Sequence, residues 1–309
     1  MQTKKIGSLE VSAVGLGCNN FGMRIDEAAS AGVLHAALDH GITCIDTADV
    51  YGGTNSETWI GAHLDKRRDE AVIVTKFGSA LGPDQPGGAR PDYVREAAEA
   101  SLRRLQTDRI DLYLLHRPDP NTPIRDTLSA MNELVSEGKV REIGCSNFSA
   151  QQLREADAAV VEGAARFITV QNHYNLLRRR DDAEVVPACE ELGIGYMPYF
   201  PLASGMLTGK YHRGETAPAG TRLGWMGDSA SGLLTDRNFE FVEQLSAWAE
   251  ARGHSVGELA IAWLASQPAF NSVIAGATRP EQVAENAKAG EWVLAADEVA
   301  EVGRITADR

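Results

Sequence analysis

Asp46 closes the apolar run "GITCID", and five residues later Tyr51 opens the glycine-rich stretch "YGGTN". Lys76 follows "AVIVT", and His116 follows "IDLYLL". A tyrosine has an ordinary pKa of about 10, so its phenol holds its proton at neutral pH. An adjacent ammonium favours the phenolate, so Lys76 is expected to lower that pKa, with Asp46 keeping Lys76 in place and charged. His116 can orient a carbonyl oxygen or share the tyrosine's hydrogen bond. Such a group is a general acid suited to protonating an oxygen as it becomes an alkoxide. Taken singly, each residue has an ordinary reading: a partly buried loop aromatic, a solvated lysine, a satisfied histidine, a helix-capping aspartate. The chemical reading requires that the fold bring them together. It also requires a hydride source, which no amino-acid side chain supplies.

The elements that must position them alternate along the chain. The strand-like runs are "SAVGLG", "TCID", "AVIVTKF", "IDLYLLH", "VREIGCS", "FITVQ", "GIGYMPY" and "NSVIAG", each followed by a helical pattern. Helix signals punctuate the series: Asp26 as an N-cap with Gly41 past the end, Pro91 and Pro123 at first helical positions, and a capping box of Ser149 and Gln152. The strands are continuously apolar, as in a parallel sheet covered on both faces. Eight βα units at this length predict a (β/α)8 TIM barrel, with residues 1–309 as one domain. A doubly wound sheet would carry its glycine fingerprint on the first βα turn, but "GLGCNNFG" has its third glycine misplaced. The connection 203–234, rich in Gly, Ala, Ser and Thr, is expected to form a lid after the seventh barrel strand.

In such a barrel the carboxyl ends of the strands form the mouth where chemistry is done. Asp46, Lys76, His116, Ser146, Asn147, Gln171 and Tyr199 all fall at such ends. Composition narrows the partners. The 43 acids and 30 bases give a net charge of −13, which weighs against nucleic acid or an anionic membrane. No run reaches the roughly 18 apolar residues of a membrane span, and the N-terminus has no signal-peptide core. Cys18, Cys44, Cys145 and Cys189 lack metal-ligand spacing and read as small buried residues in a reducing, cytoplasmic setting.

The blocks "GLGCNNFG", "IDTADVYGGTNSE", "VTKFG", "DLYLLHRPDP", "IGCSNF", "QNHYNLL", "MPYFPLASGMLTGKY" and "GATRPEQVAENAKA" resemble the aldo-keto reductases, in that family's order and over nearly the whole chain. The likeness is strongest to bacterial members akin to the potassium-channel β subunits. It implies a catalytic tetrad of Asp46, Tyr51, Lys76 and His116, with Tyr51 as acid in reduction and base in oxidation. It also implies an extended nicotinamide dinucleotide across the mouth. Ser146, Asn147 and Gln171 would bind its carboxamide, with Tyr199 stacked on the ring and Gly17, Cys18 and Asn19 beside it. Phe200, Pro201, Leu202 and Ala203 would line the pyrophosphate, with Lys210 and Arg222 nearby. Gly276, Thr278, Arg279, Gln282, Glu285 and Asn286 would hold the adenosine end. That end is also a strand–turn–helix N-terminus, a ready anion site. Arg279 there suits a 2′-phosphate, so NADP(H) is expected over NAD(H). Phe200 departs from the family's serine after the stacking aromatic, and Asn19 and Asn20 stand where other members carry aromatic or small residues.

The expected activity is reduction of small aldehydes or ketones. Asn20, Phe21, Tyr51, Phe77, His116, Trp225 and Met226 are candidate substrate-lining residues. A weakly catalytic NADPH-binding regulatory or redox-sensing subunit is the alternative. A barrel hydrolase would need a second strand-end carboxylate beside Asp46. "GMLTGKY" is one residue short of a P-loop and ends in Tyr211, and "GCSNF" lacks the last glycine of a nucleophile elbow. "KRRDE" and "RRRDD" read as solvated surface.

Overall fold

The computed structural model describes residues 1–307 apart from Pro86 and Ala219. The chain opens with a feature the strand pattern did not announce: β1 (Thr3–Ile6) and β2 (Leu9–Ser12), paired as an antiparallel hairpin. The repeating units follow, with β3 (Val14–Gly17), α1 (Glu27–Asp39), β4 (Cys44–Asp46), α2 (Asn55–Leu64), β5 (Val72–Phe77) and α3 (Pro91–Leu105). Next come β6 (Ile110–Leu115), α4 (Ile124–Ser136), β7 (Val140–Ser146), α5 (Ala150–Ala158), β8 (Phe167–His173), α6 (Val185–Leu192) and β9 (Gly195–Tyr199). The remaining elements are α7 (Arg222–Met226), α8 (Asp236–Glu250), α9 (Val256–Ala265), β10 (Val273–Gly276), α10 (Pro280–Ala289) and α11 (Ala296–Ile305).

Among the described residues, β3 to β10 form a closed eight-stranded parallel barrel, sealed where β10 pairs with both β3 and β9. The barrel expected from the alternation is therefore the fold. Asp26, Pro91 and the Ser149–Gln152 box start their helices as read, and Gly193 ends α6 in the left-handed conformation. Pro123 differs: its extended backbone makes it the N-cap of α4 rather than the first helical residue. The 203–234 connection is built of short helical turns and α7, not bare loop.

The hairpin explains what lies beneath the mouth. Ile6, Leu9 and Val11 share one buried cluster with Cys44, Val74, Leu112, Leu114 and Met197 from the barrel interior. Lys4 Nζ donates to the carbonyls of Ala265, Gln267 and Phe270, ahead of β10, which fixes the hairpin at the amino ends of the strands. Apolar burial thus plugs one end and leaves the other for polar groups.

The two arginine–acid runs correct the surface expectation. Arg68 is nearly buried and donates to Asp111 and to the carbonyls of Ala71 and Arg109, tying α2's exit to β6. Arg179 lies over the Trp263 ring and donates to Asp182 and the Gly303 carbonyl, while Asp181 is buried against Asn172 and Tyr196. Guanidinium groups do this because their planar donors match carbonyls and carboxylates several at a time. All four cysteines are free and buried.

Candidate active site

Side chains alternate along a strand, so Cys44 and Asp46 of β4, and Val74 and Lys76 of β5, face the barrel axis. Cys44 and Val74 belong to the apolar plug, and one step further along the axis Asp46 and Lys76 form a buried ion pair, Nζ to Oδ1 2.8 Å. Lys76 Nζ also donates to the Thr47 carbonyl at 2.7 Å and reaches the Tyr51 hydroxyl at 3.5 Å. Gln171 Nε2 donates to the same Asp46 oxygen at 2.7 Å. A desolvated pair of this kind is weak evidence for stability, and its satisfied lone pairs make it a fixed charge at the mouth.

Tyr51 is placed by its glycines. A Cβ on Gly52 would lie 2.2 Å from the Phe21 carbonyl oxygen, and Gly52 has φ +58°. Only glycine lets this turn press onto the Phe21–Gly22 segment and aim the phenol back at Lys76. The His116 ring meets the Tyr51 ring edge-on at 5.9 Å between centroids. Ser79 Oγ lies 3.1 Å from His116 Nδ1, a partner that the sequence reading missed although it follows Lys76 by only three residues.

Electrostatics revise one expectation. Burial raises the Tyr51 phenol above its ordinary value, and this outweighs the opposing pull of Lys76. Burial alone would lower Lys76, but Asp46 and then Tyr51 more than offset it, so the ammonium is stabilised. Burial first, then Lys76 and Arg117, push His116 down to about 3. The histidine is therefore neutral at physiological pH.

One continuous cavity of ≈ 1710 Å³ runs from this group across the mouth. Gly17, Asn19, Ser146, Asn147, Gln171, Tyr199, Phe200, Pro201 and Leu202 line it, as expected. So do Lys210, Arg222, Gly276, Thr278, Arg279, Gln282, Glu285 and Asn286. Ser146 Oγ donates to the Gln171 carbonyl, Asn147 Nδ2 to Ser146 Oγ and the His116 carbonyl, and Tyr199 OH to Asn147 Oδ1. Asn147 and Phe200 hold left-handed backbone, φ +62° and +56°, a strain typical of functional sites. At the far end Gln282 Oε1 accepts from both the N–H and the hydroxyl of Thr278, tightening the turn into α10. Phe200, the departure from the family pattern, carries the Arg222 guanidinium 4.7 Å above its ring.

Several candidates lie elsewhere. Cys18, Phe21 and Phe77 are fully buried in apolar clusters, Phe77 stacked on Tyr113, and none reaches the cavity. Ala203 is buried and also off the lining. In α7 it is Arg222 that faces the cavity; Trp225 points to solvent at 63% exposure and Met226 packs on the core. Of the substrate candidates, Asn20, Tyr51 and His116 do line the cavity. Met23, Arg24, Ser79 and Arg117 line it as well and were not anticipated.

The aldo/keto reductase family model matches residues 13–307, and the chain belongs to that family of oxidoreductases, which uses NAD(P)H and acts on small carbonyl compounds. It is 38% identical over 300 residues to a probable voltage-gated potassium channel subunit beta of Arabidopsis thaliana, across 94% of this chain and 91% of that protein. A protein of the same description from Oryza sativa subsp. japonica is 37% identical with the same coverage. The solved glycerol dehydrogenase AKR11B4 from Gluconobacter oxydans superposes with a TM-score of 0.86 and 30% identity, covering 99% of this chain and 95% of that one. No helix among the described residues is long and apolar enough to cross a membrane.

Proposed function

We propose that this protein is an NADPH-dependent reductase of aldehydes or ketones in which Tyr51 is the proton donor. One observation carries the proposal: a phenol held 3.5 Å from the ammonium of a buried Asp46–Lys76 pair, at the edge of a long cavity. The cavity's open polar atoms and cations fit a dinucleotide. Arg222 Nε is buried without a protein partner, Asn20 Oδ1 likewise, and Lys210, Arg24 and Arg279 add positive charge along the same wall. A chain of net charge −13 that lines one trench with cations suits an anion such as a pyrophosphate. Arg279 is 68% exposed, and its ion pair with Glu281 is long, at 3.9 Å, and equally exposed, so the guanidinium can turn to fork onto a 2′-phosphate, which favours NADP(H).

When bound, the cofactor supplies the hydride that no residue here can. The chain's own residues handle the oxygen. The Tyr51 hydroxyl gives its proton to the carbonyl oxygen as negative charge develops there, and the Lys76 ammonium stabilises the phenolate left behind. A raised resting pKa suits this role, because the phenol keeps its proton until the substrate oxygen demands it. His116 is neutral, and in the tautomer whose Nδ1 accepts from the Ser79 hydroxyl its Nε2–H is the donor that orients the same oxygen. Gln171 and Lys76 together keep Asp46 from turning toward the substrate.

The test is NADPH oxidation with a reactive aromatic aldehyde, run beside NADH and with Tyr51→Phe as control. Rapid consumption that favours NADPH and disappears in the variant is the expected result. The relatives described as probable channel β subunits favour a second reading, a weakly catalytic NADPH-binding subunit. Tight NADPH binding with almost no turnover over a panel of carbonyl compounds would select it.

A further inference from the structure

Behind the wall that carries the tetrad lies a second polar cluster, between the barrel and helices α2 and α3. Asp49 is 1% exposed, and neither of its carboxylate oxygens has a side-chain partner; the Val50 N–H beside it is the one backbone group that steadies its charge. The hydroxyls of Tyr93 on α3 and Tyr113 on β6 are also buried without a partner. Asp49 is near enough to both that, after burial, its charge is the next cause raising each phenol. The other charged groups facing it are Glu57 of α2, Arg104 of α3 and Lys76 of β5. Glu57 is already satisfied, accepting from Thr75 at 2.6 Å and from Arg104 at 2.7 Å. Buried polar groups left open by the protein are ordinarily completed by internal water with two to four such partners.

Asp49 is also part of the turn that aims Tyr51. Its backbone N–H donates to the Lys76 carbonyl at 3.1 Å, and the Tyr51 N–H donates to the Ala48 carbonyl at 3.2 Å. The chain therefore leaves the strand bearing Asp46, touches the strand bearing Lys76 through Asp49, and only then presents the phenol. We propose that Asp49 is a positioning residue for Tyr51: with the buried Tyr93 and Tyr113 hydroxyls it binds internal water, and the closed network holds the Asp49–Tyr51 turn against Lys76. The proposal rests on Tyr51 being the proton donor.

The test uses the full chain, with steady-state kinetics and NMR of 13Cζ-labelled tyrosine, the Tyr51 line being assigned by its loss in Tyr51→Phe. Asp49→Leu is expected to lower kcat by ~10-fold or more, the scale of a small misplacement of a reacting group, with NADPH affinity unchanged. The Tyr51 line should shift in that variant. Asp49→Asn, whose amide can hold the same water, should restore both kcat and line position. Unchanged kcat and line position in Asp49→Leu would overturn the proposal. So would a cooperatively folded Asp49→Asn protein as impaired as Asp49→Leu. Should Asp49→Leu fail to fold, Tyr113→Phe removes one water partner without a charge and must produce the same changes in smaller measure; no change there overturns the proposal too. If Tyr51→Phe itself keeps full turnover, the proton-donor assignment falls, and the NMR of the ring in Tyr51-containing variants still reports whether Asp49 holds it.

Discussion

Around Asp46 and Asn147 the polar side chains are held by one another, whereas across the mouth two of the cations rest on neutral partners. Asp46 is bound by Lys76 and Gln171, and Asn147 links Ser146, the His116 carbonyl and Tyr199. Across the mouth, Arg222 lies on the Phe200 ring and Arg24 donates to the Gly220 carbonyl. The first region is complete before any ligand arrives, so its charges need no reorganisation during reaction. The second keeps charge in reserve, and its energy is released on binding. Rate and affinity should therefore be separable by mutation.

The sharpest attempt to break that separation is Tyr51→Phe. It should cut kcat by about 10²–10⁴-fold, the usual range for a lost general acid, and leave the NADPH Kd nearly unaltered in a fluorescence titration. Lys76→Met strands Asp46 as a buried unpaired charge, so it should cost about 3–5 kcal/mol in urea denaturation as well as most of the turnover. Arg279→Ala should weaken NADPH binding by an amount corresponding to one charge-assisted bond, about 1.5–3 kcal/mol, with little effect on NADH or on kcat at saturation. An equal loss for both cofactors would show that Arg279 does not read the 2′-phosphate.

The smallest effects are in pH. His116 has a folded pKa near 3 against an unfolded 6.5, so the stability it contributes is full above 6.5 and is lost as pH falls toward 3. Asp49 has the opposite sign. Burial first, then Glu57, raise it to about 7 from 3.8, so its contribution is full below 3.8 and lost as pH rises through 7. Asp49→Asn should therefore melt above the parent at pH 8, by a few degrees if about 1 kcal/mol is recovered, and the gap should close in acid. A gap that widened in acid would mean that Asp49 is ionised and favourably paired in the folded protein.

The mouth was legible because strand ends are marked in sequence by a polar residue after an apolar run, and a closed barrel makes such residues converge whatever their separation along the chain. Asp46, Lys76 and Gln171 were found that way. Two kinds of information were not. Phe21 and Phe77 look like pocket residues by type and proximity, but alternation along the chain turns Phe77 outward onto Tyr113, and neither ring faces the cavity. The direction of the Tyr51 shift depends on how much water the fold removes, which spacing does not encode. Arg179 was misread because three arginines in a row look solvated, while the ring beneath it comes from Trp263, far along the chain. The β1–β2 hairpin was missed because Lys4, Lys5 and Glu10 break its strands into no continuous apolar run, the mark by which the barrel strands were read.

That hairpin ties the chain's first dozen residues to events at the other end of the barrel. Ile6, Leu9 and Val11 back the layer of Cys44 and Val74, and that layer is the floor on which the Asp46–Lys76 pair stands. A floor of hydrocarbon keeps the local dielectric low and the field of the pair undiluted. Loosening the hairpin would let solvent percolate up the lumen and weaken the electrostatic support of Tyr51, the proposed proton donor, without moving a single group at the mouth.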